Sequence, residues 1–348
     1  MTETAERPLR VSVVIPVRNG EATIMACLNS LACQDQRPDE VVVVENGSED
    51  NTVSLVKEWM LTQPGLHPSL VVESACGPSA ARNRGVEAAK GDVIAFLDAD
   101  CIAPPDWLRN ISSEMSQGVG AVGGPYEGIS LPSIEKYASM SWFLESHPST
   151  YALSSPFVSR FLLGGNMALF RKDFANIGGF DETLHVGEDL DLSFRLKKAG
   201  TVLKYLPDLA VTHKTHSSFS KRVSRALSHG MLQARIAKRD FPHLLLVSAF
   251  KKSWCISFPA TVALELSSLT KILCGLTLIA WMRPAWGLLL FFILVVLWGF
   301  RMTFGLLRLR VPVTFADVVA LPLGWGVARL ATETGRLIGS VRHNVFCW

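Results

Sequence analysis

A chain of 348 residues is long enough for one α/β domain with a large core and a membrane appendix. With 34 Lys and Arg against 31 Asp and Glu, the net charge of +3 argues against a nucleic-acid binder that works through a basic surface. The seven cysteines (Cys27, Cys33, Cys76, Cys101, Cys255, Cys274 and Cys347) show no C-x-x-C pair, which fits a reducing, cytosolic compartment and argues against a zinc site built on cysteine. The polar start, Met1 to Arg10, has no apolar stretch of the kind a secretory leader needs.

Val11–Val17 (VSVVIPV) is an apolar, β-branched run closed by Asn19-Gly20, the pattern of a buried strand. Glu21–Leu31 follows with Ile24, Cys27, Leu28 and Leu31 on one helical face. Val41–Val44 is a second strand, ended by Asn46-Gly47, and Asp50 is placed to cap a helix running toward Met60. Leu70–Val72, Ser79–Ala89 and Val93–Leu97 read as strand, helix and strand. This alternation predicts a mostly parallel sheet with helices on both faces, in which ligands bind beyond the carboxyl ends of the strands. Those ends carry Pro16-Val17-Arg18-Asn19, Glu45-Asn46-Gly47-Ser48 and Asp98-Ala99-Asp100.

Gly91–Asp100 (GDVIAFLDAD) is the sharpest of these. A buried strand delivers Asp98 and Asp100 at its exit, hard oxygen ligands suited to Mg²⁺ or Mn²⁺. An ion there can bridge a diphosphate and offset the charge that develops on a leaving nucleotide. Gly118, Gly120 and Gly123 match G-x-G-x-x-G, but Gly124-Pro125 follows where a dinucleotide site needs a helix, so the stretch reads as a strand. Phe161–Arg171 (FLLGGNMALFR) reads as a hairpin turn in which Gly164 and Gly165 permit close backbone approach. Gly187–Gly200 (GEDLDLSFRLKKAG) is a helix with Glu188 and Asp189 at its start, where the dipole favours an ionised carboxylate. Asp191 and Arg195, four apart, read as a surface pair. His213 follows a strand-like run and gains a role only where the fold brings it to Asp98 and Asp100.

Beyond Trp254 the chain becomes mostly apolar, which predicts a boundary near Pro242 and domains over 1–240 and 241–348. Ser217–Arg239 reads as a helix whose face of Lys221, Arg222, Arg225, Arg235, Lys238 and Arg239 is by default a solvated face, and its place just before the apolar tract also suits anionic lipid. Residues 254–281 and 285–307 are candidate transmembrane helices, and 314–330 an interfacial or re-entrant segment. Lys251, Lys252, Arg301, Arg308 and Arg310 on one side of such a hairpin predict a cytoplasmic first domain at the cell (inner) membrane.

Taken together, VSVVIPVRNGEATIMACLNSL, ENGSEDNT, ARNRGVEAAKGDVIAFLDAD, GGNMALFRKDF and GGFDETLHVGEDLDLSFRLKKAG resemble the family 2 glycosyltransferases, over about the first 215 residues. The resemblance implies a GT-A fold, Rossmann-like, and an inverting hexosyltransferase-like enzyme that uses a divalent cation. It implies Asp189 as the base that deprotonates the acceptor, and Asp98, Asp100 and His213 as metal ligands. Pro16, Val17, Asn19 and Glu21 resemble the first nucleotide-contacting loop, and Arg82 and Asn83 the segment against nucleotide and sugar. Gly165, Asn166 and Glu188 would face the acceptor or the transferred sugar. Glu45, Gly47 and Ser48 stand where the family shows D-D-G-S; Glu45 keeps a carboxylate and Asn46 loses one, which leaves UDP as first choice for the donor base, with GDP or dTDP as alternatives. The absence of Q-x-x-R-W argues against a processive synthase. The implied acceptor is lipid-linked or a polysaccharide, the other partner is membrane lipid, and the competing reading is an inactive nucleotide-binding or assembly protein of the same fold.

Overall fold

The computed structural model describes residues 8–75, 77–127, 149–150, 161–184, 186–213, 219–240, 244–249, 252–257, 262–265, 331–332, 334–343 and 345–347. These fall into two compact units, with every described residue up to His213 in the first and every one from Phe219 onward in the second.

The first unit opens as β1 (Val11–Val17), α1 (Ile24–Ala32), β2 (Glu40–Glu45), α2 (Thr52–Thr62), β3 (Pro68–Val72), α3 (Pro78–Ala88) and β4 (Val93–Leu97). It continues through β5 (Cys101–Ile102), α4 (Trp107–Ser116), β6 (Ala121–Gly123), β7 (Tyr126–Glu127) and β8 (Ser149–Thr150). The last part is β9 (Asn166–Phe170), α5 (Arg171–Asn176), α6 (Glu188–Lys198), β10 (Leu203–Tyr205) and β11 (Val211–His213). Eight strands form one sheet in the order β3-β2-β1-β4-β9-β6-β10-β8. The predicted strands β1 to β4 are mutually parallel where they pair, whereas β9 runs antiparallel to both β4 and β6. A small second sheet, β5-β11-β7, lies in the same unit.

Strand periodicity accounts for a core on each face. Val11, Val13, Ile15 and Val17 of β1 pack with Val41, Val43, Val93, Ala95 and helix residues Ile24, Cys27, Leu28 and Leu31. Val14, Val42, Val44, Ile94 and Phe96 point the other way, toward Ala81, Leu192 and Leu196. Helix α3 seats closely because a Cβ on Gly85 would lie 2.3 Å from a Val14 methyl. The glycine-patterned stretch is a turn at Gly118 (φ +84°) followed by strand β6, as read from the sequence.

Asp191 and Arg195 are not a surface pair. Asp191 is fully buried, and Arg195 Nε donates to it at 2.7 Å while Nη1 donates to the Ile177 carbonyl. Periodicity within α6 does not show that this face packs under the Ile177 turn. Arg195→Ala removes a charge-assisted hydrogen bond from the buried Asp191 carboxylate and the bond to the Ile177 carbonyl, and should cost about 1.5–3 kcal/mol in denaturant unfolding. A loss under 1 kcal/mol would mean that Asp191 is satisfied without it.

The second unit holds α7 (Phe219–Asp240), a helix over residues 334–343, and a sheet in the order β13-β12-β14-β15. Its strands are β12 (Leu244–Ala249), β13 (Lys252–Ser257), β14 (Val262–Glu265) and β15 (Phe346–Cys347). The two helices meet at glycines: a Cβ on Gly230 would lie 2.0 Å from the Thr332 carbonyl, and one on Gly335 equally close to that of Leu227. The helix expected over 254–281 is corrected at its start, because β13 and β14 occupy 252–257 and 262–265. Summed hydropathy misses that Trp254 and Ile256 alternate with Ser253, Cys255 and Ser257, a period of two. Among the described residues no helix is long and apolar enough to cross a membrane. Residues 266–330 lie outside the described residues, and with them the rest of that helix, the 285–307 helix and the 314–330 segment.

Candidate active site

The exit of β4 is organised around one buried guanidinium. Arg82, on the inner face of α3, donates from Nη2 to Asp98 Oδ1 at 2.7 Å and from Nη1 to Glu188 Oε1 at 3.0 Å. Its charge also sits 5.5 Å from the centre of the Phe180 ring. Burial opposes the charge, but Asp98 and Glu188 hold the guanidinium firmly protonated. On its other side Asp98 accepts from the Tyr126 hydroxyl at 3.3 Å, and that hydroxyl accepts from the Gly165 N–H at 3.1 Å. Gly165 is compelled by this packing, since a Cβ there would lie 2.0 Å from Asp98 Oδ2 and 2.6 Å from the Tyr126 hydroxyl. Gly165→Ala should therefore cost about 1–3 kcal/mol in thermal unfolding through overpacking. A variant as stable as the parent would show that β9 can retreat from β4 at no cost.

Helix α6 begins beside this lattice. Asp189 Oδ2 accepts from the Gly164 N–H at 3.3 Å and Oδ1 from the Leu190 N–H at 2.8 Å. Burial and the neighbouring Glu188 carboxylate push its pKa up from 3.8 to about 7, against the pull of these amides and Arg82. The helix terminus alone predicted a firmly ionised group, so its favourable amides are outweighed. A carboxyl poised near neutrality is suited to taking up a proton and releasing it again.

Asp100 lies one residue past the strand exit, with a partner supplied by the small sheet. β11 pairs antiparallel with β5, placing His213 directly opposite Cys101, and His213 Nε2 comes within 3.2 Å of Asp100 Oδ1. The His213 ring stacks on Tyr126 at 4.5 Å between centroids, and Nδ1 is buried with no hydrogen-bond partner among the described residues. Asp100, Cys101 and His213 can bring one ligand atom each within 4.8 Å of one another. The carboxylate suits Mn²⁺ or Mg²⁺, and the imidazole adds a donor typical of transition-metal ions. Burial pushes the Cys101 thiol up, helped by Asp98 and Asp100, and does the same to Cys27, whose Sγ lies 3.5 Å from the Asp98 carbonyl. Asp98, paired with Asp100 as a ligand in the sequence reading, contacts Arg82 and Tyr126 here.

The expected nucleotide loops lie side by side and are laced together. Asn19, at φ +52°, accepts from the Glu49 N–H, and its own N–H donates to Ser48 Oγ at 3.0 Å. Glu21 accepts from the Asn51 side chain at 2.8 Å. Glu45, at the end of β2, is buried and accepts from the Ser48 N–H. Gly47 turns the chain at φ +79° with open space around it, and Asn46 hydrogen-bonds the Val17 carbonyl through its backbone N–H. Pro16 and Val17 close β1, with the Val17 side chain buried in the core. Asn83 is spent on structure, bonding both backbone groups of Phe180 and the Glu182 carboxylate. Asn166, expected on the acceptor side, is fully buried. Its amide accepts from Trp107 Nε1 at 2.9 Å and donates to the Pro125 and Leu209 carbonyls.

Sequence reasoning missed Tyr126, Cys101 and the role of Asn46. The Asn46 amide donates to the Glu73 and Ala75 carbonyls at 2.8 and 2.7 Å and accepts from the Gly77 N–H. An aspartate here would set a carboxylate against two carbonyls, which is a physical reason for the departure from an acidic pair. Nothing local marks Tyr126, since its partners Asp98, Gly165 and His213 are all distant in sequence.

The first unit is thus an α/β domain with an acidic, guanidinium-braced site at the exit of β4. Residues 12–178 match the family described as Glycosyl transferase family 2, and residues 147–217 match the N-terminal domain of galactosyltransferase. The chain carries a glycosyl transferase family 2 domain. It is 32% identical over 212 residues to Glycosyltransferase AglE of Haloferax volcanii, covering 58% of this chain and 66% of that one. It is 30% identical over 236 residues to the Pre-mycofactocin glycosyltransferase of Mycobacterium tuberculosis, covering 66% and 48%. The chain thus spans about half to just under two thirds of the length of these relatives. In fold it is similar to the mannosyltransferase PcManGT of Pyrobaculum calidifontis, solved with GDP-Man and Mn²⁺, at TM-score 0.55 and 21% identity over 97% of this chain and 88% of that one.

Proposed function

We propose that this chain transfers a sugar from a nucleotide-diphosphate donor to an acceptor hydroxyl by a single inverting displacement. The observation that carries the reading is the convergence of Asp189, held near neutrality, with the Asp98–Arg82–Glu188 bridge and the Asp100–His213 pair at one end of the sheet. Asp100 and His213 are the residues that would hold a divalent cation, which when bound supplies positive charge to the diphosphate. Asp189 takes the proton of the attacking hydroxyl. Arg82 fixes the carboxylates around it, and the laced loops after β1 and β2 receive the nucleotide. The names of AglE and the Pre-mycofactocin enzyme support glycosyl transfer, and the GDP-Man and Mn²⁺ of PcManGT support a nucleotide-sugar donor with a metal. UDP stays our first choice of base, with a lipid-linked or polysaccharide acceptor at the cytoplasmic face of the cell membrane. The uncharged tract Ala285 to Phe300, flanked by Arg283 and Arg301, is what supports the membrane.

Hydrolysis of a panel of nucleotide-sugars in detergent, with and without Mn²⁺, tests this directly. Activity should require the ion, and Asp100→Ala should abolish it and weaken Mn²⁺-dependent nucleotide binding. Full turnover in EDTA rejects the metal. Binding of nucleotide with no turnover of any sugar favours the inactive assembly protein instead.

A further inference from the structure

We infer that Asp100, Cys101 and His213 form a second-state metal site that binds Zn²⁺ through the Cys101 thiolate, and that zinc held there excludes the ion that supports transfer. The inference rests on the reading of Asp100 and His213 as metal ligands. Cys101 and His213 are directly opposed in the β5–β11 pair, so their side chains leave the same face of the small sheet. Asp100 Oδ1 is 3.2 Å from His213 Nε2 and 4.0 Å from Cys101 Sγ, and the three donors fit within 4.8 Å. Donors of one tetrahedral zinc ion, at bond lengths of about 2.0–2.3 Å, are themselves about 3.3–3.8 Å apart. The set therefore closes on zinc with small side-chain rotations.

The chemistry of the three atoms decides which ion prefers the closed set. Mn²⁺ and Mg²⁺ gain little from sulfur, whereas Zn²⁺ bound by oxygen, nitrogen and thiolate follows both ligand softness and the usual order of divalent affinities. The binding step balances as a thiol giving its proton to solvent while a zinc–sulfur bond forms. Charge then distinguishes the two states. A divalent ion held by one carboxylate and one imidazole keeps a net charge of +1 for a diphosphate, whereas the added thiolate cancels it. Three protein ligands also leave zinc a single open position. The burial of Cys101 keeps this thiolate from competing ligands in solvent.

Cobalt is the probe, because a cobalt–thiolate bond gives a near-ultraviolet charge-transfer band that oxygen and nitrogen ligands do not. The whole 348-residue chain in detergent is titrated with Co²⁺ and then with Zn²⁺ as competitor. The band should appear with one equivalent, be displaced by Zn²⁺, and be absent in Cys101→Ser. Zn²⁺ should bind at least about 100-fold more tightly than Mn²⁺, and His213→Gln should weaken it by about 10–100-fold. Thermal unfolding of both variants checks that they fold, and Cys33→Ser, at an exposed cysteine, should keep the band. Bound cobalt without the band, or a band that survives in folded Cys101→Ser, overturns the inference while leaving the Asp100–His213 metal reading intact. No binding of Co²⁺, Zn²⁺ or Mn²⁺ at all overturns both.

Discussion

Asp189→Asn should fold, bind nucleotide-sugar donor almost as the parent does, and transfer sugar about 10²–10⁴-fold more slowly, the usual loss for a positioned base. The asparagine keeps the shape of the side chain and can still accept from the Gly164 or Leu190 N–H. It cannot take up the proton of an acceptor hydroxyl. Because the ionised form is the active one and its pKa lies at about 7, parent activity should fall tenfold per pH unit as pH drops below that value. Stability runs the opposite way. A carboxyl whose pKa is raised from 3.8 to about 7 by folding binds more protons folded than unfolded, so stability declines as pH rises through that interval. Asp189→Asn escapes this decline, and its unfolding temperature should exceed that of the parent at pH 8, with the gap closing toward pH 4. An acidic limb unchanged in the variant, or near-normal turnover, removes Asp189 from the role and leaves Glu188 as the next base. The product of an α-linked donor should be β-linked, and an NMR assignment showing retention overturns the single displacement.

Arg82→Met is expected to be the most damaging substitution in the fold. The methionine fills much of the arginine's volume without its charge, and Asp98 and Glu188 then face each other with no cation between them. Breaking a fully buried pair costs about 3–5 kcal/mol; Asp98 and Glu188 are partly exposed, so each pair costs less than that, but here one residue breaks two pairs. A loss of about 5 kcal/mol lowers Tm by roughly 10–20 °C in a domain of this size. Activity should vanish together with stability, because the same bridge sets the positions of Asp98 and of the α6 start. Arg82→Lys separates the two effects. One ammonium restores charge but lacks the planar fork that reaches both carboxylates, so it should recover part of the stability and little of the activity. If Arg82→Met unfolds within a few degrees of the parent, the two carboxylates are satisfied by other means and the bridge is incidental.

The sequence alone determined the strands β1 to β4, the helices between them, and the exits that carry Asp98, Asp100 and Glu45. Local periodicity suffices there, because runs such as Val11–Val17 bury alternate residues on both faces wherever they are placed. It also marked Asp189 and Glu188, since a glycine followed by acids opens a helix by local rules. What only the tertiary structure decided depends on strand order and burial. Arg82 and Glu188 are 106 residues apart and meet because β9 inserts beside β4 and carries the chain back to α6. The same β5–β11 pairing that brings His213 to Asp100 places Cys101 beside them, although cysteine spacing alone argued against any such site. Asp189 shifts toward neutrality chiefly through desolvation, a property of its surroundings, to which its chain neighbour Glu188 adds. The apolar stretch after Trp254 misled at its start for a related reason. Hydropathy records that a segment must be buried, but whether it pairs with β12 as β13 and β14 do or coils as a helix is settled by the partners it finds.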